Sequence, residues 1–239
     1  MNARHQTSSE FIEGNGFLAE VIRTSRRKTA TIKVEAGKVS VVAPEDLPAA
    51  KIEEVIAKKN RWIKEKLLIH SQAMAVKPKE YVSGESFSYL GKNYRLKVVS
   101  GSPACVKLLN GYLVVETPEP LNPIKTQRLI EGWYREHAEQ KFREKSRRYA
   151  KQIGVTPASI GIKTFKSRWG SCSPDGHILY NWRVIMAPNR VVDYVVVHEL
   201  CHLIHHNHSP EFWKAVAKVV PEYQMDKDWL KNHGDRLIL

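Results

Sequence analysis

Residues 198–208 read His-Glu-Leu-Cys-His-Leu-Ile-His-His-Asn-His. This segment constrains the fold more than any other. His198 and His202 are four residues apart, so on an α-helix their side chains lie on one face, a turn apart. On a strand, His198 and Glu199 would point to opposite sides of a sheet and the pattern would hold no chemistry. The preceding run, Val191 to Val197, is apolar and rich in β-branched residues. Such a run fits a strand or a buried helix equally. The histidine spacing, with Asn189 as a candidate cap, selects the helix.

Two imidazoles so placed can bind one Zn²⁺ at about 2.0–2.1 Å each. Glu199 is turned about 100° from His198, which puts its carboxylate beside the metal without making it a ligand. A third ligand is needed. His205 sits about 10.5 Å along the axis from His198, too far for one ion on a straight helix. The chain must therefore turn back. Asn207 in the left-handed conformation is the expected turn, and it returns His208 to the pair. Ser209-Pro210 then reads as the N-cap and first residue of the next helix. The expected site is one Zn²⁺ per chain on His198, His202 and His208, with an open fourth position. Glu199 is the expected general base on a metal-activated water. A donor to the developing oxyanion would come from His206, Tyr180, Tyr223, His233 or Arg236, and the sequence does not choose among them. His205 and His206 are expected outside the ligand set. Cys201 is expected as a buried thiol.

Elsewhere the reading is of local signals. Ala30–Val34 and Val39–Val42 predict strands meeting at Ala36-Gly37, and Pro48–Gln72 predicts an amphipathic helix with Ile52, Val55, Ile56, Trp62, Ile63 and Leu67 on one face. Ala75–Glu80 reads as a linker. Phe87–Leu90 and Asn93–Val98 predict strands, and Val106–Leu109 with Tyr112–Glu116 predicts a hairpin turning at Asn110-Gly111. Asn122-Pro123 should start a helix that Gly154 ends. Ser159–Phe165 and Ile178–Ala187 predict further strands, separated by a Pro174-Asp175-Gly176 turn. No repeat is visible at the periods of solenoids.

Lys and Arg number 38 against 25 Asp and Glu, a net charge of +13. Such a surface attracts polyanions, so nucleic acid is a candidate partner and a solvated basic surface the plain alternative. The densest runs are Arg23–Lys28 and Lys141–Lys151, and the second also suits the negative end of a helix dipole. No zinc-finger spacing or RNA-recognition signature accompanies them. No apolar run is long enough to cross a membrane, and no secretory signal is expected from Met1 to Glu20. Cys105, Cys172 and Cys201 are too scattered for a disulfide framework, so a cytoplasmic setting is expected.

Arg168-Trp169-Gly170-Ser171-Cys172-Ser173, Leu179-Tyr180-Asn181-Trp182, Pro188, Val191 to His202, Asn207-His208-Ser209 and Phe212-Trp213 form a combined pattern. In these segments the sequence resembles the YgjP-like metallopeptidase family and, more distantly, SprT-type and WLM proteases. The resemblance extends to Arg26-Arg27-Lys28, Trp62-Ile63 and Trp133-Tyr134. The histidine spacing also equals that of metzincins, with His205 where they carry glycine. The resemblance implies a zinc-dependent hydrolase of peptides or proteins, with no particular substrate. The SprT and WLM likeness suggests, by analogy, proteins bound to DNA. Trp169, Gly170 and Ser171 are expected to border the substrate cleft, since an edge strand in zincins commonly pairs with an extended peptide. Phe212, Trp213 and Val216 are expected in the core. Rival readings are a nucleic-acid-associated basic protein with a mainly structural metal site, and a hydrolase of non-peptide amides. The expected fold is α+β: a β-rich module with one helix over residues 1–120, then a zincin-like module over 121–239.

Overall fold

Asn110 and Gly111 both have positive φ, 50° and 81°, as the two-residue hairpin turn requires. The structure is a computed structural model that describes residues 10–25, 29–35, 37–72 and 78–239. Arg26-Arg27-Lys28, Ala36 and residues 75–77 of the expected linker lie outside these.

The chain divides into two units, residues 1–77 and 78–239. The expected boundary near residue 120 is displaced, because the second sheet shares one apolar core with the helices that follow it. In the first unit, β1 (Glu10–Gly14) and β2 (Phe17–Arg23) form an antiparallel hairpin, as do β3 (Thr31–Glu35) and β4 (Lys38–Ala43). The hairpins join through parallel pairing of β2 with β4, giving the order β1-β2-β4-β3. The helix α1 (Ala49–Gln72) buries Ile52, Ile56 and Ile63 against this sheet. Strands β1 and β2 were not expected from the sequence.

The second unit opens with the same arrangement. Strands β5 (Ser86–Tyr89), β6 (Lys92–Ser100), β7 (Cys105–Leu109) and β8 (Tyr112–Thr117) run in the order β5-β6-β8-β7, again two hairpins joined by a parallel pair. The helix α2 (Pro123–Ile153) follows. The correspondence reaches single residues. Buried Val39, Val41, Ala43, Ile52 and Ile56 match buried Leu113, Val115, Thr117, Thr126 and Ile130, each 74 positions on. The chain thus repeats a four-strand-and-helix unit at a period longer than those of solenoids. The sequence reading missed it because apolar residues exchange freely within a core.

Helix α2 has the expected limits. Asn122 Oδ1 accepts from Lys125 N at 3.1 Å, and Gly154 closes it at φ 84°. The basic run near its end is knitted into ion pairs: Lys141 with Glu144, Arg143 with Glu139, Lys145 and Arg148 with Asp193. Lys145 is almost wholly buried and lies 2.6 Å from Asp193, tying α2 to α3 (Asn189–Cys201). A third sheet contains β9 (Ser159–Lys163), β10 (Gly170–Cys172) and β11 (His177–Asn181), in the order β10-β11-β9. The strand expected over Ile178–Ala187 ends at Asn181. The side chain of Asn181 accepts from Arg183 N and starts a short 3-10 helix, Trp182–Met186. Pro188, not Asn189, is the N-cap of α3, and Asn189 Nδ2 donates instead to Asp193. Helices α4 (Pro210–Val219) and α5 (Tyr223–His233) complete an α+β architecture with its helices concentrated toward the C-terminus. No described helix is long and apolar enough to cross a membrane.

The tip of the β5–β6 hairpin abuts the approach to α3. Leu90 N donates to Ile185 O at 2.8 Å, and a Cβ on Gly91 would lie 2.7 Å from the Pro188 Cα. Gly91 also has φ 78°. Gly91→Ala should therefore cost about 2 kcal/mol, lowering the melting temperature by roughly 4–8 °C in thermal unfolding. An unchanged melting temperature would count against this docking.

Candidate metal centre

The apolar run Val191–Val197 is helical. Val191, Val192, Tyr194, Val195, Val196, Val197, Leu200 and Cys201 are all buried. Cys201 packs as expected, and burial pushes its thiol up to about 11. Helix α3 ends at Cys201 with His202 as its C-cap. The turn beyond differs from expectation. It closes by Leu203 N donating to Leu200 O, and by Ile204 and His205 N donating to Cys201 O. Asn207 has no left-handed φ. Ser209 then caps α4 as expected, accepting from Phe212 N, with Pro210 next.

These turns bring His208 back to α3. One ligand nitrogen from each of His198, His202 and His208 lies within 4.8 Å of the others. His198 Nε2 and His208 Nε2 are 3.1 Å apart. Two ligands of one tetrahedral Zn²⁺ lie about 3.3 Å apart, so this spacing fits a shared ion. His202 Nδ1 donates to His205 O at 3.0 Å, leaving the Nε2 lone pair free. His205 thus contributes its carbonyl, not its ring. His198 Nδ1 is buried with no protein partner. Burial pulls His198 down to about 3 and lowers His202 as well, with the neighbouring imidazoles adding to the effect. Both rings are then neutral, the form that ligates a metal. The donor set therefore fits a divalent ion such as Zn²⁺.

Aromatic rings hold the imidazoles. Phe212 stacks on His202 with centroids 4.5 Å apart, and Trp213 stacks on His208 at 5.4 Å. Tyr223 stacks on the next face of Trp213 at 5.2 Å. Phe212 and Val216 are core residues as expected, yet Phe212 also touches the site. Tyr194, not singled out from the sequence, packs edge-to-face with His198, their ring centroids 5.8 Å apart.

A cleft of about 900 Å³ opens over these residues. Its lining includes His198, Glu199, His202 and His208, and also Trp169, Gly170 and Ser171. Gly170 begins β10, an edge strand not expected as such. Asn181 pins the approach to it: Asn181 N donates to Trp169 O at 2.8 Å, and Nδ2 to Arg168 O at 3.2 Å. A Cβ on Gly170 would lie 2.6 Å from Glu199 Oε1, so glycine is required for β10 to pass the carboxyl. Glu199 is 5% exposed. Burial pushes its carboxyl up to about 8, and the Arg168 guanidinium opposes this. Of the candidate oxyanion donors, His206 lines the cleft; Tyr180, Tyr223, His233 and Arg236 do not. The Tyr180 hydroxyl is bonded to Ser146 in the core, at 2.9 Å.

Nothing among curated proteins matches the chain. Among solved structures, a crystal structure of the metallopeptidase zymogen of Pyrococcus abyssi abylysin is 23% identical. The alignment covers 37% of this chain and 90% of that one, with a TM-score of 0.35. Residues 28–233 match the family described as YgjP-like, metallopeptidase domain. A match of that extent takes in both units, and the chain belongs to the YgjP-like metallopeptidase family.

Proposed function

We propose that this protein is a zinc-dependent peptidase of zincin type, with His198, His202 and His208 holding one Zn²⁺ and Glu199 as general base. The observation that carries the reading is the convergence of three imidazole nitrogens within 4.8 Å in a cleft that a buried glutamate also lines. When bound, the metal acidifies a water and polarises the scissile carbonyl. The residues of the chain do the rest. His202 is held in its ligating tautomer by the His205 carbonyl. Glu199, a buried carboxyl that lines the cleft, is placed to take a proton from water and return it to the leaving amine. Trp169, Gly170 and Ser171 receive the substrate, the edge of β10 pairing with an extended main chain. Tyr194 and His206 line the same cleft and are candidate donors to a developing oxyanion.

Purified protein should contain about one zinc per chain by elemental analysis, and His208→Ala should lose or loosen it. Zinc-free protein that stays so after reconstitution would sink the three-histidine site. Glu199→Gln should retain zinc while hydrolysis of a peptide mixture falls by about 10²–10⁴-fold. Full activity in that variant would remove Glu199 as the base. Gly170→Ala should also keep zinc, but lower turnover, because its Cβ displaces the Glu199 carboxyl. Equal turnover would mean that the carboxyl is free to move without loss.

A further inference from the structure

The charges around the cleft are one-sided. Arg168 stands on one wall, and Lys227 and Lys231 on α5 on another. The two lysines are four residues apart and so share a helix face. All three are exposed, and none takes part in an ion pair among the described residues. At the end of α2, by contrast, four of the six cations from Lys141 to Lys151 are paired with carboxylates. Among the described residues the only carboxylate lining the cleft is Glu199, which is buried. Lys227 Nζ is held 4.2 Å over the Trp213 ring, itself stacked on His208, and the Asn181 amide donates to the main-chain carbonyl of Arg168. Unmatched like charges lining one concave site focus a positive potential into it.

Resting on the peptidase reading above, we infer that the cleft selects acidic peptide segments, with Arg168, Lys227 and Lys231 receiving Asp or Glu side chains that flank the bond at the metal centre. A peptide is favoured over a nucleic acid because one wall is the edge of β10, whose main-chain groups match an extended peptide. The volume, about 900 Å³, lies at the upper end of ligand sites and suits several extended residues.

The test is binding, with hydrolysis followed in the same samples. Three eight-residue peptides, identical but for an Asp, Ser or Lys triplet, are titrated by fluorescence anisotropy into zinc-loaded wild-type protein. The acidic peptide should bind about 10-fold or more tighter than the Ser peptide at low ionic strength, and the advantage should shrink at 0.5 M salt. The double variant Lys227→Ala/Lys231→Ala should lose most of that advantage. Lys231→Glu should turn it toward the Lys peptide. The control Lys92→Ala/Lys97→Ala removes the same charge from exposed sites on β6 outside the cleft and should keep the preference. Equal binding of the acidic and Ser peptides would overturn the inference, as would loss of preference in the control to the same extent. A single-stranded oligonucleotide that displaces the acidic peptide at lower concentration would also overturn it, in favour of a nucleic acid. Hydrolysis is read separately: selective binding with no cleavage of any peptide would sink the peptidase reading and leave the acidic selectivity standing.

Discussion

A helix enclosed by protein nearly all round fixes everything else in the second unit. Helix α3 packs against α2, α4, α5, β10, β11 and the 3-10 helix before it. Its side chains from Val191 to Val197 are buried except for Asp193, which is tied to Lys145 on α2. Each buried valine or leucine stabilises by about 1.5–3 kcal/mol relative to exposure. The helix therefore has no freedom to rotate, and its last turn presents His198 and His202 at a fixed angle. That last turn is also the negative end of the helix dipole, which favours a cation there. The dry surroundings that hold the helix keep the imidazoles neutral and raise the proton affinity of Glu199. Packing and chemistry have one cause: burial of the same helix.

The sequence made this helix legible through its histidine spacing, and made α2 legible through Asn122 and Gly154. Both are local signals, in which a few neighbouring residues fix a backbone conformation. The hairpin at Asn110-Gly111 was legible for the same reason. What was not legible depends on distant partners. Strand β10 is three residues long, too short to show alternation, and exists only because β11 pairs with it. The end of α3 was assigned to Asn207, but the turn tightens earlier, through bonds to Leu200 and Cys201. His208 nonetheless arrives where the spacing required, because Ser209-Pro210 starts α4 at the expected residue. The cleft lining was legible in part, through Trp169, Gly170, Ser171 and the histidine segment. Arg168, Tyr194 and Lys231 come from three segments that only the tertiary fold assembles.

The repeated unit shows how little change separates a plain support from a scaffold for chemistry. Both copies bury equivalent positions of the sheet and of the first two helical turns. They part in the middle of the helix. Trp133, Tyr134, Ala138 and Phe142 in α2 are buried, and their counterparts 74 residues earlier are Lys59, Asn60, Lys64 and Leu68. None of these four is buried. In α2 the apolar set creates a further face, on which α3, β9 and the 3-10 helix pack. Helix α2 is also longer, 31 residues against 24, and its last turns supply Lys145 for Asp193 and Ser146 for Tyr180. A helix with one apolar face can cover a sheet; a helix with two can join that sheet to another layer. The metal centre thus depends on residues outside the cleft, on a helix that carries none of the three clustered histidines. Substituting the aromatic face of α2 with the polar residues of α1 would remove the wall on which α3 rests, while leaving the four-stranded sheet its own helix.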